Sequence, residues 1–172
     1  MRLTSAYTLV IAFSTFLSCN VSSTSKDAAI KESEPKETIS KEAVAVTKEP
    51  GIHFIEEDWN QALKAAHDEN KLVFIDIYAT WCGPCKMLKQ YTFTDAAVGE
   101  FFNKNFVNVS IDGEKGVGPQ LAQQYSIEGY PSLIVADATG KPVLITAGYI
   151  PADVLMQFAK EALKRGGQEA KM

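Results

Sequence analysis

Apolar and polar positions divide this chain into three stretches of different texture. Residues 7–17, YTLVIAFSTFL, form a largely apolar run without a charge, and residues 20–50 mix five lysines with six acidic residues and hold no aromatic side chain. From Gly51 onward, short apolar runs alternate with segments whose apolar positions recur at helical spacing. IHFI, Ile52 to Ile55, predicts a short strand, and Asp58 caps a helix with Trp59, Ala62, Leu63 and Ala66 along one face. Leu72 to Tyr78, LVFIDIY, is nearly continuous in apolar character and of strand length, the pattern of a central strand covered on both faces. A helix follows through Lys89, and Asp95 caps another that carries Val98, Phe101 and Phe102 on one face. FVNVSI, Phe106 to Ile111, alternates as a strand does, and Gly118 to Tyr125 reads as a helix. Pro131 opens the strand SLIVAD, and a turn at Gly140 leads into VLIT, which predicts a hairpin. Pro151 takes a first-turn position in a last helix that ends before Gly166. The resulting order is β, α, β, two α, β, α, β, β, α. It predicts an α/β fold, with helices on both faces of a central mixed sheet.

Composition narrows the picture. At 172 residues, 46% hydrophobic and 22% charged, the chain affords one domain with a proper core. That domain is placed at residues 51–165, with a flexible tail at 166–172. A net charge of -4 leaves no basic footprint, so nucleic acid is not an expected partner. Arg2 followed by the short apolar run reads as a signal peptide over residues 1–19, too short to span a bilayer comfortably. Cys19, in the context FLSC, resembles the lipobox of bacterial lipoproteins, which implies lipidation there and a membrane anchor. Residues 20–50 cannot bury enough apolar surface to order themselves and read as a charged tether. The expected location is a bacterial cell envelope, facing the periplasm or the exterior.

The chemistry concentrates in TWCGPCKMLK, Thr80 to Lys89. Two cysteines separated only by Gly83 and Pro84 allow a metal site, a structural disulfide or a reversible redox pair. A zinc site needs four ligands and this motif supplies two, while His53 and His67 lack ligand-like spacing, so no metal is expected. A cross-link closing so small a loop constrains the unfolded chain weakly. Redox chemistry explains the spacing better. A helix beginning at Cys82 would favour its thiolate, the attacking species, and Cys85 one turn later can resolve a mixed disulfide. Pro84 suits an early helical turn, and Gly83 leaves room for a substrate backbone. With no charged or donor side chain between the cysteines to stabilise the reduced form, the pair leans toward a reductant.

WCGPCK, Trp81 to Lys86, resembles the active site of the thioredoxin family, and the similarity extends over about 110 residues from Gly51 to Leu163. LVFIDIYATWCGPCKMLKQYTFTDAAV is similar as well to the C-terminal periplasmic domain of the electron transporter DsbD. The resemblance implies a thioredoxin-like fold. It also implies that Asp76, six residues before Cys82, is a buried carboxylate exchanging a proton with Cys85, and that Pro131 follows a cis bond opposite the active site. Trp81, Gly83, Pro84, Tyr130, Pro131 and Gly148 would form the substrate surface, with the backbone of Tyr130 pairing to an extended segment. The lysine that neighbours the carboxylate in thioredoxins is Asn108 here, leaving Asp76 without that charged partner, and Tyr130 is bulkier than the usual residue before the proline.

The expected activity is thiol-disulfide oxidoreduction, reducing disulfides in exported proteins. Electrons would come from a membrane transporter or another thiol protein, because no dinucleotide or flavin motif is present and the Cys82–Cys85 disulfide is the only expected cofactor. A monomer is expected. The rival readings are an oxidase or isomerase of disulfides, and a tethered binding module that transfers no electrons.

Overall fold

A computed structural model of the chain describes residues 50–171. The expected signal peptide, the lipidation site at Cys19 and the tether up to residue 49 lie outside the described residues. Five strands form one sheet: β1 (Ile55–Glu56), β2 (Leu72–Tyr78), β3 (Phe106–Asp112), β4 (Ser132–Ala136) and β5 (Pro142–Ala147). Their order across the sheet is β1-β3-β2-β4-β5. β3 runs parallel to both β1 and β2, while β4 is antiparallel to β2 and to β5, so the sheet is mixed and β4–β5 is the predicted hairpin. β1 and β5 form its two edges.

Helices cover both faces. On one, α1 (Trp59–Glu69) and α4 (Gly118–Gln124) bring Trp59, Ala62, Ala66 and Leu121 against Val73, Ile75, Ile77, Val109 and Ile111. On the other, α3 (Ala96–Asn105) and α5 (Ala152–Arg165) pack Phe102, Leu155 and Leu163 over Phe74 and Phe106. Phe74 anchors an aromatic cluster there, its ring 4.7 Å from Phe102 and 6.2 Å from Phe93. Burial of a side chain of this size stabilises the fold by about 1.5–3 kcal/mol. The aspartate caps are both present: Asp58 accepts the Gln61 N–H at 2.9 Å and Asp95 accepts the Val98 N–H at 2.9 Å. Each satisfies an amide that the helix start would otherwise leave unpaired.

Several boundaries differ from the sequence expectation. The first strand is Ile55–Glu56 and not Ile52–Ile55, because the Ile52 N–H bonds to the Phe93 carbonyl at 2.8 Å and Phe54 turns into the aromatic cluster. The third strand runs one residue past the expected Ile111, to Asp112, and all seven of its residues are buried, Asn108 and Ser110 included, because it is flanked by β1 and β2 and covered from both sides. The helix after the cysteine pair does not end at Lys89. It comprises α2 (Gly83–Met87) and a wider π-helical turn (Leu88–Thr92), closed where the Thr92 hydroxyl donates to the Ile150 carbonyl at 2.9 Å. Pro151 is the cap of α5, one position before its first turn. Beyond Gly166, where a flexible tail is expected, Lys171 exchanges backbone hydrogen bonds with the Asn105 side chain at 2.6 and 3.0 Å.

Candidate active site

β2 delivers the chain to the cysteine pair at the sheet's end. Cys82 adopts an extended backbone and caps α2, with Pro84 in the first turn, where its missing N–H costs no hydrogen bond. The two cysteines form a disulfide, and the Cys85 N–H points at the Cys82 sulfur, 3.1 Å away. A backbone donor aimed at sulfur favours the thiolate once the bond is opened. Both cysteines are 2% exposed, packed with Ala79 beneath Tyr78 and Tyr130. Open space lies over Gly83, where an added Cβ would meet nothing within 4 Å.

The predicted surface residues assemble around this pair. Trp81 is 66% exposed and its indole N–H donates to both carboxylate oxygens of Glu114, at 3.1 and 3.0 Å. Its ring stands edge-on to Tyr130, with centroids 6.1 Å apart. The Tyr130–Pro131 peptide is cis. Gly148 donates its N–H to the Pro131 carbonyl at 2.8 Å, and it has a φ of +86° that favours glycine, although no neighbour crowds its Cα. Tyr130 rests on Gly113, a residue whose importance was not apparent from the sequence.

Asp76 is buried in β2 and receives a hydrogen bond from the Ser110 hydroxyl to Oδ2, at 3.2 Å, while Oδ1 makes none. Burial pushes its carboxyl up to about 7; the Lys89 ammonium and the Ser110 bond oppose the rise, and the Glu56 charge adds to it. The Lys89 charge thus acts on Asp76, although no ion pair joins the two among the described residues. Asn108 lies opposite Phe74 and donates to the His53 carbonyl at 3.3 Å and to Asn103 at 3.2 Å. The positive charge comes instead from Lys89, on the π-helical turn, whose Nζ sits 3.6 Å over the Tyr78 ring. A signal for it exists in the sequence: Lys89 is seven residues after Cys82, two helical turns along the same side. Ser110 gave no such signal, because its place beside Asp76 depends on strand register. Among the described residues, no three His, Cys, Asp or Glu side chains converge where a metal ion could sit.

A cysteine pair at a helix start, set on a mixed sheet with a buried carboxyl in the strand leading to it, defines a thiol-disulfide exchange domain. The chain belongs to the thioredoxin-like domain family, matched over residues 59–163, a family of thiol-disulfide oxidoreductases. It is similar to the thiol:disulfide interchange protein DsbD of Pseudoalteromonas atlantica, with 33% identity over 111 residues, 62% of this chain. That match spans only 19% of the length of DsbD. Thioredoxin H-type of Fagopyrum esculentum is 35% identical over 83 residues, covering 48% of this chain and 66% of the plant protein. Among solved structures, a candidate disulphide-isomerase of Bacteroides thetaiotaomicron is 38% identical with a TM-score of 0.61, covering 68% of this chain and 97% of that one.

Proposed function

We propose that this protein is a disulfide reductase of the bacterial cell envelope, anchored through lipidated Cys19, which transfers electrons from its Cys82–Cys85 dithiol to disulfides in exported proteins. The observation that carries this reading is the placement of Cys82 at the start of α2 with the Cys85 N–H on its sulfur. The Cys82 thiolate attacks a client disulfide, forming a mixed disulfide and releasing one client sulfur as a thiolate. Cys85 then loses its proton to Asp76 and attacks Cys82, which frees the second client sulfur and restores the intramolecular disulfide. Trp81, Gly83, Pro84, Tyr130, Pro131 and Gly148 shape the surface that receives the client. No cofactor beyond the cysteine pair takes part. A membrane transporter or another thiol protein resupplies the electrons, a role supported by the similarity to the interchange protein DsbD.

Replacing Cys85 with Ser tests the mechanism, because the mixed disulfide then persists. Recovery of exported proteins linked to Cys82 supports it, and none recovered in cells that still make the variant counts against it. The equilibrium potential tests direction. A value near the thioredoxin end of the scale, about -270 mV, fits a reductant, and one near about -120 mV makes the protein a disulfide donor. An isomerase is the second reading, favoured by the similarity to the Bacteroides protein. It requires reactivation of scrambled ribonuclease without net loss of disulfides.

A further inference from the structure

Glu56, Ser110 and Asp76 stand in one row across three strands. β1 pairs Glu56 with Ser110, and β2 pairs Asp76 with the same Ser110. Parallel neighbours in register lie about 4.8 Å apart with side chains on a common face. The row begins at the buried carboxyl and ends at the sheet edge: Asp76 and Ser110 are each 1% exposed, and Glu56 faces solvent. Ser110 Oγ is already hydrogen-bonded to Asp76 Oδ2. Glu56 and Lys89 together line a cleft of about 180 Å³ with Phe54 and Phe93. A carboxyl that must gain or lose a proton in every cycle needs a route to water, and direct contact is closed to Asp76.

We propose that Ser110 and Glu56 form a proton relay joining Asp76 to the water of the Glu56–Lys89 cleft. The relay rests on the reading of Asp76 as the proton partner of Cys85. As Cys85 attacks Cys82, its thiol proton passes to the Asp76 carboxylate and the client sulfur leaves with the bonding electron pair. Asp76 then hands a proton to Ser110 Oγ while Ser110 passes its own to Glu56, which releases it to water. Reduction of the disulfide runs the same steps backward.

The surrounding charges favour this route over its neighbours. Partial enclosure in the cleft raises the Glu56 carboxyl, against the pull of Lys89 and helped by Glu57, the same direction in which Asp76 is moved. Asp112 is held low by its bond to Lys115 and does not match. Glu57 is committed elsewhere, accepting the Asp112 N–H at 2.9 Å and the Tyr78 hydroxyl at 3.0 Å. Lys89, on the π-helical turn, favours the ionised form of both carboxyls, which lets each give up its proton in turn.

Single-turnover reduction of the oxidised protein by dithiothreitol, followed by Trp81 fluorescence across neutral pH, tests the relay without knowledge of the client. Cys85 leaves as a thiolate in that reaction and takes its proton from Asp76. Ser110→Ala and Glu56→Gln are each expected to slow the step about tenfold near neutrality, less than the roughly 100-fold or more that a directly positioned acid contributes. Ser110→Thr, which keeps a hydroxyl, restores the rate, and Glu56→Gln adds no further loss in the Ser110→Ala background. If Asp76→Asn slows the step while Ser110→Ala and Glu56→Gln keep the native rate and pH profile, the relay is wrong and Asp76 acts without it. If Asp76→Asn also leaves the rate unchanged, the proton role of Asp76 falls, and the relay with it.

Discussion

Tyr130 lies so close to Gly113 that a Cβ there would stand 2.5 Å from its ring carbon Cε1 and 2.6 Å from its hydroxyl. The ring packs against the cysteine pair and meets Trp81 edge-on, so Gly113 sets where the wall over Cys82 stands. Tyr130→Ala removes that cover and should speed alkylation of reduced Cys82 by iodoacetamide severalfold at fixed pH. Gly113→Ala should act in the same direction at little cost in stability, since the end of a side chain can move aside. Alkylation at the native rate in both variants would show that Tyr130 does not limit access.

Asp76 makes stability depend on pH in a direction unusual for a carboxylate. Its carboxyl is raised from 3.8 to about 7 in the folded protein, so the folded state holds this proton more tightly than the unfolded chain does. The stability it contributes is fully present below about pH 4 and is lost as pH rises through about 7. A gap of about three pH units at about 1.4 kcal/mol each amounts to about 4 kcal/mol. Asp76→Asn should therefore be more stable than the native protein at alkaline pH, by up to that amount, and should nearly match it in acid. Urea unfolding at both pH values measures the difference, and equal stability in alkali would mean that the buried carboxylate is not penalised.

Lys89 pulls against that burial. Lys89→Met removes the ammonium and should raise the Asp76 carboxyl above its native value of about 7. Carbon-detected titration of Asp76 by NMR reads the shift directly. The alkaline limb of the rate profile should move up with it, and an unmoved Asp76 would place the Lys89 charge outside its field.

The caps give a prediction independent of the chemistry. Asp95→Ala leaves the Val98 N–H without its side-chain acceptor and should cost about 1 kcal/mol, with a similar loss for Asp58→Ala at Gln61. Thermal unfolding of each variant tests this, and Asp95→Asn, which keeps the acceptor oxygen, should recover most of the loss.

What could be read from the sequence was local. LVFIDIY has the bounds of β2 because a strand covered on both faces leaves no polar break before its end, and Asp58 and Asp95 announce the starts of α1 and α3. WCGPCK placed the cysteine pair, since its chemistry depends on one turn of chain. Features that depend on distant partners escaped. The π-helical turn is settled by the Thr92 bond to Ile150, fifty-eight residues away. The place of Ser110 beside Asp76 is set by strand register, which also puts Asn108 opposite Phe74, so Asn108 offered a false comparison, whereas Lys89 was within reach of the helical spacing after Cys82. Glu114 and Gly113 sit in the loop after β3, and nothing in the local pattern shows that this loop folds back onto Trp81 and Tyr130.

The two outer strands carry a consequence of their own. β1 offers two residues for pairing, and β5 begins at Pro142, which has no N–H to give and follows Lys141. Short length, proline and lysine are the features by which sheets resist recruiting a further strand from another chain. A protein whose proposed clients are exported polypeptides would meet extended segments able to add themselves to such a border. With β1 short and β5 opened by a proline, a proposed client is directed to the groove beside the disulfide and away from adding a strand at either border.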